Sequence, residues 1–331
     1  MNKCLVTKLN GSVNNPDLLR LGEMRMKILK VSNPTEYTQG FLISVNKTVT
    51  LKIVSDGYFT DKTLTENKGK NITLNVGENT IWVNGNSDVE IAILDKYSLV
   101  STSMIKERPD KNIKLNISDL KYSTALKILN IPNTQVSGDI ANLKNLTALT
   151  ILSLYGTQVS GDIANLKNLT ALITLALYGT QVSGDIVNLK NLTALTSLSL
   201  YNTQVPLTGD IGQLSTLSNC TAMTLSFSKL TGDLAILPSV CIFASFTNSK
   251  DSVFTWSTRP STAKIIAIDG NCKITNVDKM LQDQAQCQVG FTESSPVWYK
   301  KILCVGTRTS ASDAAVQALQ QKGYTVLINP V

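Results

Sequence analysis

The chain has 331 residues, 43% of them hydrophobic and 17% charged, with a formal net charge of +7. That length holds two or three domains with ample core, and the composition is that of a soluble globular protein. Histidine is absent, which excludes His-dependent triads, His general bases and His metal ligands. No apolar run approaches the roughly 18 to 20 residues that cross a bilayer, so no membrane partner is expected.

Charge is unevenly spread. Lys and Arg number 16 against 12 acidic residues over 1–116, 6 against 6 over 117–236 and 9 against 6 over 237–331. The middle of the chain is neutral and lacks Arg, whereas phosphate affinity needs clustered cations, so no nucleic acid is expected there. At the start, Lys3 and Lys8 bracket only Cys4-Leu5-Val6-Thr7. That run is too short for the apolar part of a signal peptide, so neither Sec export nor lipidation at Cys4 is expected.

In chain order, residues 1–22 read as an irregular arm, with Asn10-Gly11 and Asn14-Asn15-Pro16 as turn formers. Residues 23–105 carry short alternating runs. The candidate strands are Met24–Val31, Phe41–Val45, Thr48–Val54, Ile72–Val76, Thr80–Val83 and Val89–Leu94, broken at turn residues such as Asn33-Pro34 and Asp56-Gly57. Phe41, Ile43 and Val45, then Val49, Leu51 and Ile53, alternate at period two, which predicts a small antiparallel, β-sandwich-like domain for docking or oligomerisation. Residues 106–116 form a polar connector.

Between 126 and 203 one unit recurs: ALKILNIPNTQVSGDIANLKNLT, ALTILSLYGTQVSGDIANLKNLT, ALITLALYGTQVSGDIVNLKNLT and ALTSLSLYNTQVPLTGDI. Thr134, Thr157, Thr180 and Thr203 fall 23 residues apart. Self-similarity at this period predicts a solenoid, and L-x-x-L-x-L from Leu149 through Leu152 to Leu154 makes it a leucine-rich repeat of parallel strands and short helical turns. Ile117-Ser118-Asp119-Leu120 aligns with Ile140-Ala141-Asn142-Leu143, so the repeats are placed at 117–240. Leu152 and Leu154 should point inward, with Ile151, Ser153 and Tyr155 on the opposite, concave side. Val159, Ile163, Leu166 and Leu169 complete the coil's core. Gly161 permits a bend before Asp162, the expected N-cap of a helical turn over Ala164–Leu169.

After Val205 the period slips, with insertions at Pro206-Leu207 and Ser218–Thr221. The next strand is Met223–Phe227. Residues 241–331 read as irregular coils, with strands at Cys241–Phe246, Ile265–Ile268 and Lys301–Val305 and a helix around Val277–Gln284. A β-α-β cap closes the chain, its helix at Ser312–Lys322 and last strand at Tyr324–Ile328.

The leading candidate site is the row Tyr155, Tyr178 and Tyr201, flanked by Ser153, Ala176 and Ser199 and by Ile151, Thr174 and Ser197. An uncharged groove with an aromatic edge suits a glycan or an extended peptide; the alternative is that the rings pack on one another as a purely structural ladder. The aspartate row Asp139, Asp162, Asp185, Asp210 and Asp233 reads as helix capping, because calcium needs several converging oxygens at each site. Neither a metal nor a cofactor is called for. Cys220, Cys241, Cys272, Cys287 and Cys304 lack metal-ligand spacing and read as small buried residues, with a Cys220–Cys241 or Cys272–Cys287 disulfide as the alternative. The Asn-Leu-Thr triplets at Asn145, Asn168 and Asn191 follow from the repeat, and Trp82, Trp256 and Trp298 read as packing residues.

The S-G-D-I element after each strand resembles the leucine-rich-repeat subtype with S-G-x-I in that place, although Thr157 and its equivalents replace the usual ladder asparagine. Taken whole, the chain resembles leucine-rich-repeat proteins of phages and prophages of gut Bacteroidales, including crAss-like phages. That likeness rests on LVTKLNGSVNNPDLLRLGEM at 5–24, SDGYFTDKTLTENKGK at 55–70, the TQVSGDIANLKNLTALT units, TWSTRPSTAKI at 255–265 and GTRTSASDAAVQALQQKGYTV at 306–326. The resemblance implies a non-enzymatic virion protein, a head or tail fibre or capsid decoration made in the host cytoplasm. It implies a homo-oligomer whose N-terminal domain meets other virion proteins while the repeats bind a host surface glycan or protein. The alternative is a bacterial leucine-rich-repeat scaffold or adhesin that belongs to no virion.

Overall fold

The computed structural model describes residues 113–203, 207–226 and 228–329, and ahead of them the backbone of eight strands. The arm at 1–22, most of the connector, Cys4, and the side chains of Trp82 and Trp298 lie outside the described residues, as does the face-to-face packing that a sandwich requires.

Each repeat forms a coil with three sides. The first is a short strand: Ile128–Asn130, Ile151–Ser153, Thr174–Ala176, Ser197–Ser199, Ala222–Thr224, Phe243–Phe246 and Ala267–Gly270 follow one another in parallel. They form the middle of a 13-stranded sheet. Along it, Leu129, Leu152, Leu175, Leu198, Met223, Ala244 and Ile268 stand in register, and all are buried. Alternation puts their neighbours Ile151, Thr174 and Ser197 on the other face, half-exposed.

The second side is not marked in the sequence. Ser137–Asp139, Gln158–Asp162 and Gln181–Ser183 pair as a second parallel sheet. Thr208–Asp210, Lys229–Asp233, Val253–Thr255 and Lys273–Ile274 make a further one. The S-G-D segment is therefore a strand. Gly161 lies at φ +111, and a Cβ there would run into Asp139 Oδ1 of the preceding coil. Gly184 and Gly209 repeat this against Asp162 and Asp185, so glycine is required twice over, by conformation and by the stacked carboxylate.

The third side is a 3-10 turn: Ile117–Leu120, Ile140–Leu143, Ile163–Leu166, Ile186–Leu189, Ile211–Thr216 and Leu234–Ile236. The turn expected over Ala164–Leu169 thus begins one residue earlier, is tighter, and closes with the Lys167 N–H on Ala164 O. Asp139, Asp162, Asp185, Asp210 and Asp233 cap these turns, each accepting from the N–H two residues on at 2.8 to 2.9 Å. The capping reading of the aspartate row is borne out. Within one coil Leu149, Leu152, Leu154, Val159, Ile163, Leu166 and Leu169 are fully buried, at about 1.5–3 kcal/mol each relative to exposure. Thr134, Thr157 and Thr180 are buried too, donating to the carbonyls of Ile131, Leu154 and Leu177 at 2.8, 2.6 and 2.5 Å.

Beyond residue 207 each coil is held differently. The threonine row passes to Ser228 and Ser249, whose hydroxyls lie 3.4 Å apart, and Ser252 Oγ accepts from Leu230 N–H and donates to Ser228 O. Arg259 is 3% exposed. Its guanidinium N–H groups meet five carbonyl oxygens, those of Lys264, Ala235, Leu237, Pro238 and Cys241, at 2.9 to 3.4 Å. Helix α1 (Val277–Gln286) buries Val277, Met280 and Leu281. It also turns Gln284 inward, where the amide holds both Ile266 N–H and Ile266 O. Asp283 on the same helix accepts from Trp256 Nε1, Arg259 N–H and Lys279. Burial pushes its pKa up, but these donors outweigh that and hold it below the usual carboxylate value.

The cap is as expected: Lys301–Cys304, helix α2 (Asp313–Gln321) and Thr325–Ile328 form a β-α-β unit whose strands pair in parallel. Asp278 on α1 accepts from Ser312 Oγ and Thr309 Oγ1, tying the two helices together. Those bonds lower its pKa. The five described cysteines are buried free thiols, so the disulfide alternative gives way to the packing one.

At the other end, strand Leu99–Met104 pairs in parallel with Ile128–Asn130, so the long sheet continues past the first repeat. Thr38–Val45, Gly77–Asn84 and Tyr58–Phe59 extend it with antiparallel pairing. Asn71–Leu74, Val49–Ile53, Val89–Ile93, Met24–Ile28 and Ile113–Lys114 form a separate antiparallel sheet. All six candidate strands are present with shifted ends; Leu99–Met104, Tyr58–Phe59 and Ile113–Lys114, the last within the expected connector, are additional.

Candidate functional site

The tyrosines sit just past the long sheet's strands, where backbone pairing continues: Gly156 N–H donates to Tyr178 O and Gly179 N–H to Tyr201 O, at 2.9 and 3.0 Å. Asn133, Gly156, Gly179 and Asn202, at equivalent places in successive coils, all have positive φ of 53 to 66°. Only glycine or asparagine takes that conformation readily, which explains the alternation of the two types. This turn fixes the ring row. Tyr155 and Tyr178 stack with centroids 4.3 Å apart and planes 10° off parallel, and Tyr178 and Tyr201 repeat this at 4.3 Å and 8°. All three are half-buried. Burial pushes the Tyr178 phenol up, and the phenols on either side add to it.

The remaining expected contacts divide. Thr174 and Ser199 are half-exposed beside the ladder. Ser153 is only 7% exposed and backs the surface rather than forming it.

Sequence reasoning missed the surface beyond Tyr201. Register carries the tyrosine row on to Ser226 and Thr247, small residues, so the ring stack ends there. The far side of Tyr201 opens on a recess of about 430 Å³ lined by Tyr201, Thr224, Ser226, Phe243, Ser245, Thr247 and Asp269. Phe243 falls in the row of Ile151, Thr174, Ser197 and Ala222, and it is held by stacking on Tyr299 at 4.7 Å. Ser245 Oγ bridges Ser226 Oγ at 3.0 Å and Thr247 Oγ1 at 3.3 Å, and both Ser245 and Thr247 also reach Asp269 O. The slipping period hid this set; residue-by-residue strand alignment is the signal that finds it.

No protein-family profile matches the chain, and no curated protein matches it. Among solved structures it is similar to an internalin, inlF, of Listeria monocytogenes, at 20% identity over 71% of this chain and 69% of that one, with a TM-score of 0.41. The Arabidopsis thaliana BIR2 ectodomain matches 29% of this chain at 29% identity and TM-score 0.27, and a plant ice-binding protein matches 54% at 21% and 0.37. The chain spans 52% of the BIR2 ectodomain and 56% of the ice-binding protein. The parallel coils described above are the solenoid that the 23-residue period predicts.

Proposed function

We propose that this protein is a non-enzymatic recognition module, and that the tyrosine face of its long sheet holds an extended ligand on the surface of a bacterial host. A leucine-rich-repeat solenoid is in general an interaction scaffold. The observation that carries the reading is the stack of three half-buried tyrosines running straight into an aromatic-walled recess on the same face. Flat, rigid rings offer large contact area at small entropic cost, with a hydroxyl for hydrogen bonding. Among the described residues that line the recess, one side chain is charged, Asp269.

The sequence resemblance supplies the setting. We place the protein on a phage particle, as fibre or decoration, with the N-terminal region joining copies of itself and other virion proteins. Mass spectrometry of purified virions tests this: many copies per particle support it, whereas a protein found only in cells points to a bacterial scaffold or adhesin. Replacing Tyr178 and Tyr201 by alanine should weaken adhesion to host cells by about tenfold or more, and unchanged adhesion would make the face assignment wrong.

A further inference from the structure

We infer that the recess beyond Tyr201 is a subsite for one uncharged pyranose ring of a glycan; this rests on the tyrosine face being the recognition surface. Tyr201 has one ring face on Tyr178 and the other on the recess. A sugar ring laid there takes the place in the row that Ser226 leaves empty, its C–H face against the exposed π-face as the fourth member of the stack. Phe243, held by Tyr299, forms a second apolar wall.

The polar groups select the ligand's charge. Ser226, Ser245 and Thr247 hydroxyls are engaged with one another and with Asp269 O. Asp269 is half-exposed, and among the described residues its carboxylate has no hydrogen bond or ion pair. A carboxylate accepts from two vicinal hydroxyls, and the Thr224 hydroxyl can donate or accept. Among the described residues the lining contains no Lys or Arg, so Asp269 repels sialic and uronic acids, phosphates and nucleotides. A volume of about 430 Å³ lies in the range of small-ligand sites.

The test uses the full chain on an array of neutral and acidic oligosaccharides, followed by calorimetry with the neutral binders. Binding of neutral glycans is expected. Ser226→Tyr, which extends the ladder into the recess with a residue that the preceding three coils carry there, should abolish it. Asp269→Asn, which keeps the shape, should weaken it by about tenfold or more, with circular dichroism unchanged for both. Neutral glycan binding that survives both variants but is lost on Tyr155→Ala overturns the subsite and leaves the tyrosine face standing. Preference for acidic glycans, or capture of unmodified peptides with no glycan bound, overturns the inference outright.

Discussion

The coils between Leu126 and Thr203 and those between Leu207 and Asn329 bury the same kind of core, yet they hold it by opposite means. In the first region, bonds between equivalent residues of neighbouring coils span 23 residues, as in Thr150 to Lys127 and Thr196 to Ile173. Threonine, aspartate and glycine recur there, so each coil is held as its neighbour is. Across the boundary the spans lengthen to 26 and 25 residues, and within the second region they are 21 and 24. With coil length changing, Ser228 still meets its equivalent Ser249, but single residues do most of the joining: Arg259 collects five carbonyls, Gln284 holds Ile266 on both sides, and Asp283 gathers three donors. Repetition distributes stability over many equal contacts, whereas irregularity concentrates it.

The contrast is broken most sharply at Arg259. Arg259→Met would leave several buried carbonyl oxygens without donors and should cost about 3 kcal/mol or more. Arg259→Lys, with three donors, should rescue only part, as read by urea unfolding. A loss below about 1 kcal/mol would show that the guanidinium is not the joint.

Next comes the glycine ahead of the capping aspartate, which recurs as Gly161, Gly184 and Gly209. Gly184→Ala drives a Cβ into Asp162 Oδ1 at φ +121. It should cost about 2 kcal/mol, with Gly179→Ala milder because its nearest contacts lie at 3.6 Å, though φ there is also positive. Smaller again is Thr180→Val, which removes one of several equivalent hydroxyl bonds and should cost about 1 kcal/mol.

The repeat block was legible because its period is exact in register: Leu152, Val159 and Ile163 could be placed inside from spacing alone. The second sheet was not, since Ser160-Gly161-Asp162 has no apolar alternation to mark it as a strand. The Tyr155 row was visible, while Phe243 and Asp269 were hidden because insertions broke the count before them. Arg259 reads in sequence as a surface charge. Only the fold brings Ala235, Leu237 and Pro238 carbonyls around it.

The gentlest of these effects concerns the thiols. Burial pushes Cys241 up to about 11 and Cys220 and Cys304 up to about 12, from 9.0. In the unfolded chain they ionise near pH 9, whereas in the fold they stay protonated. Their contribution is therefore whole below pH 9 and lost progressively between pH 9 and 12. Ellman's reagent at pH 8 should leave these three thiols unmodified until denaturant is added, and the melting temperature should fall above pH 9. Fast labelling of the native protein would mean that the irregular coils open locally.

The tyrosine face is tested most directly by titrating labelled protein onto host cells, comparing Tyr178→Ala/Tyr201→Ala with Gln158→Ala/Gln181→Ala, whose glutamines are exposed on the second sheet. The tyrosine variant should lose binding by tenfold or more, roughly 1.4 kcal/mol, while the glutamine variant binds as the unaltered chain does. Equal binding by all three, or loss confined to the glutamine variant, would contradict recognition through the long sheet.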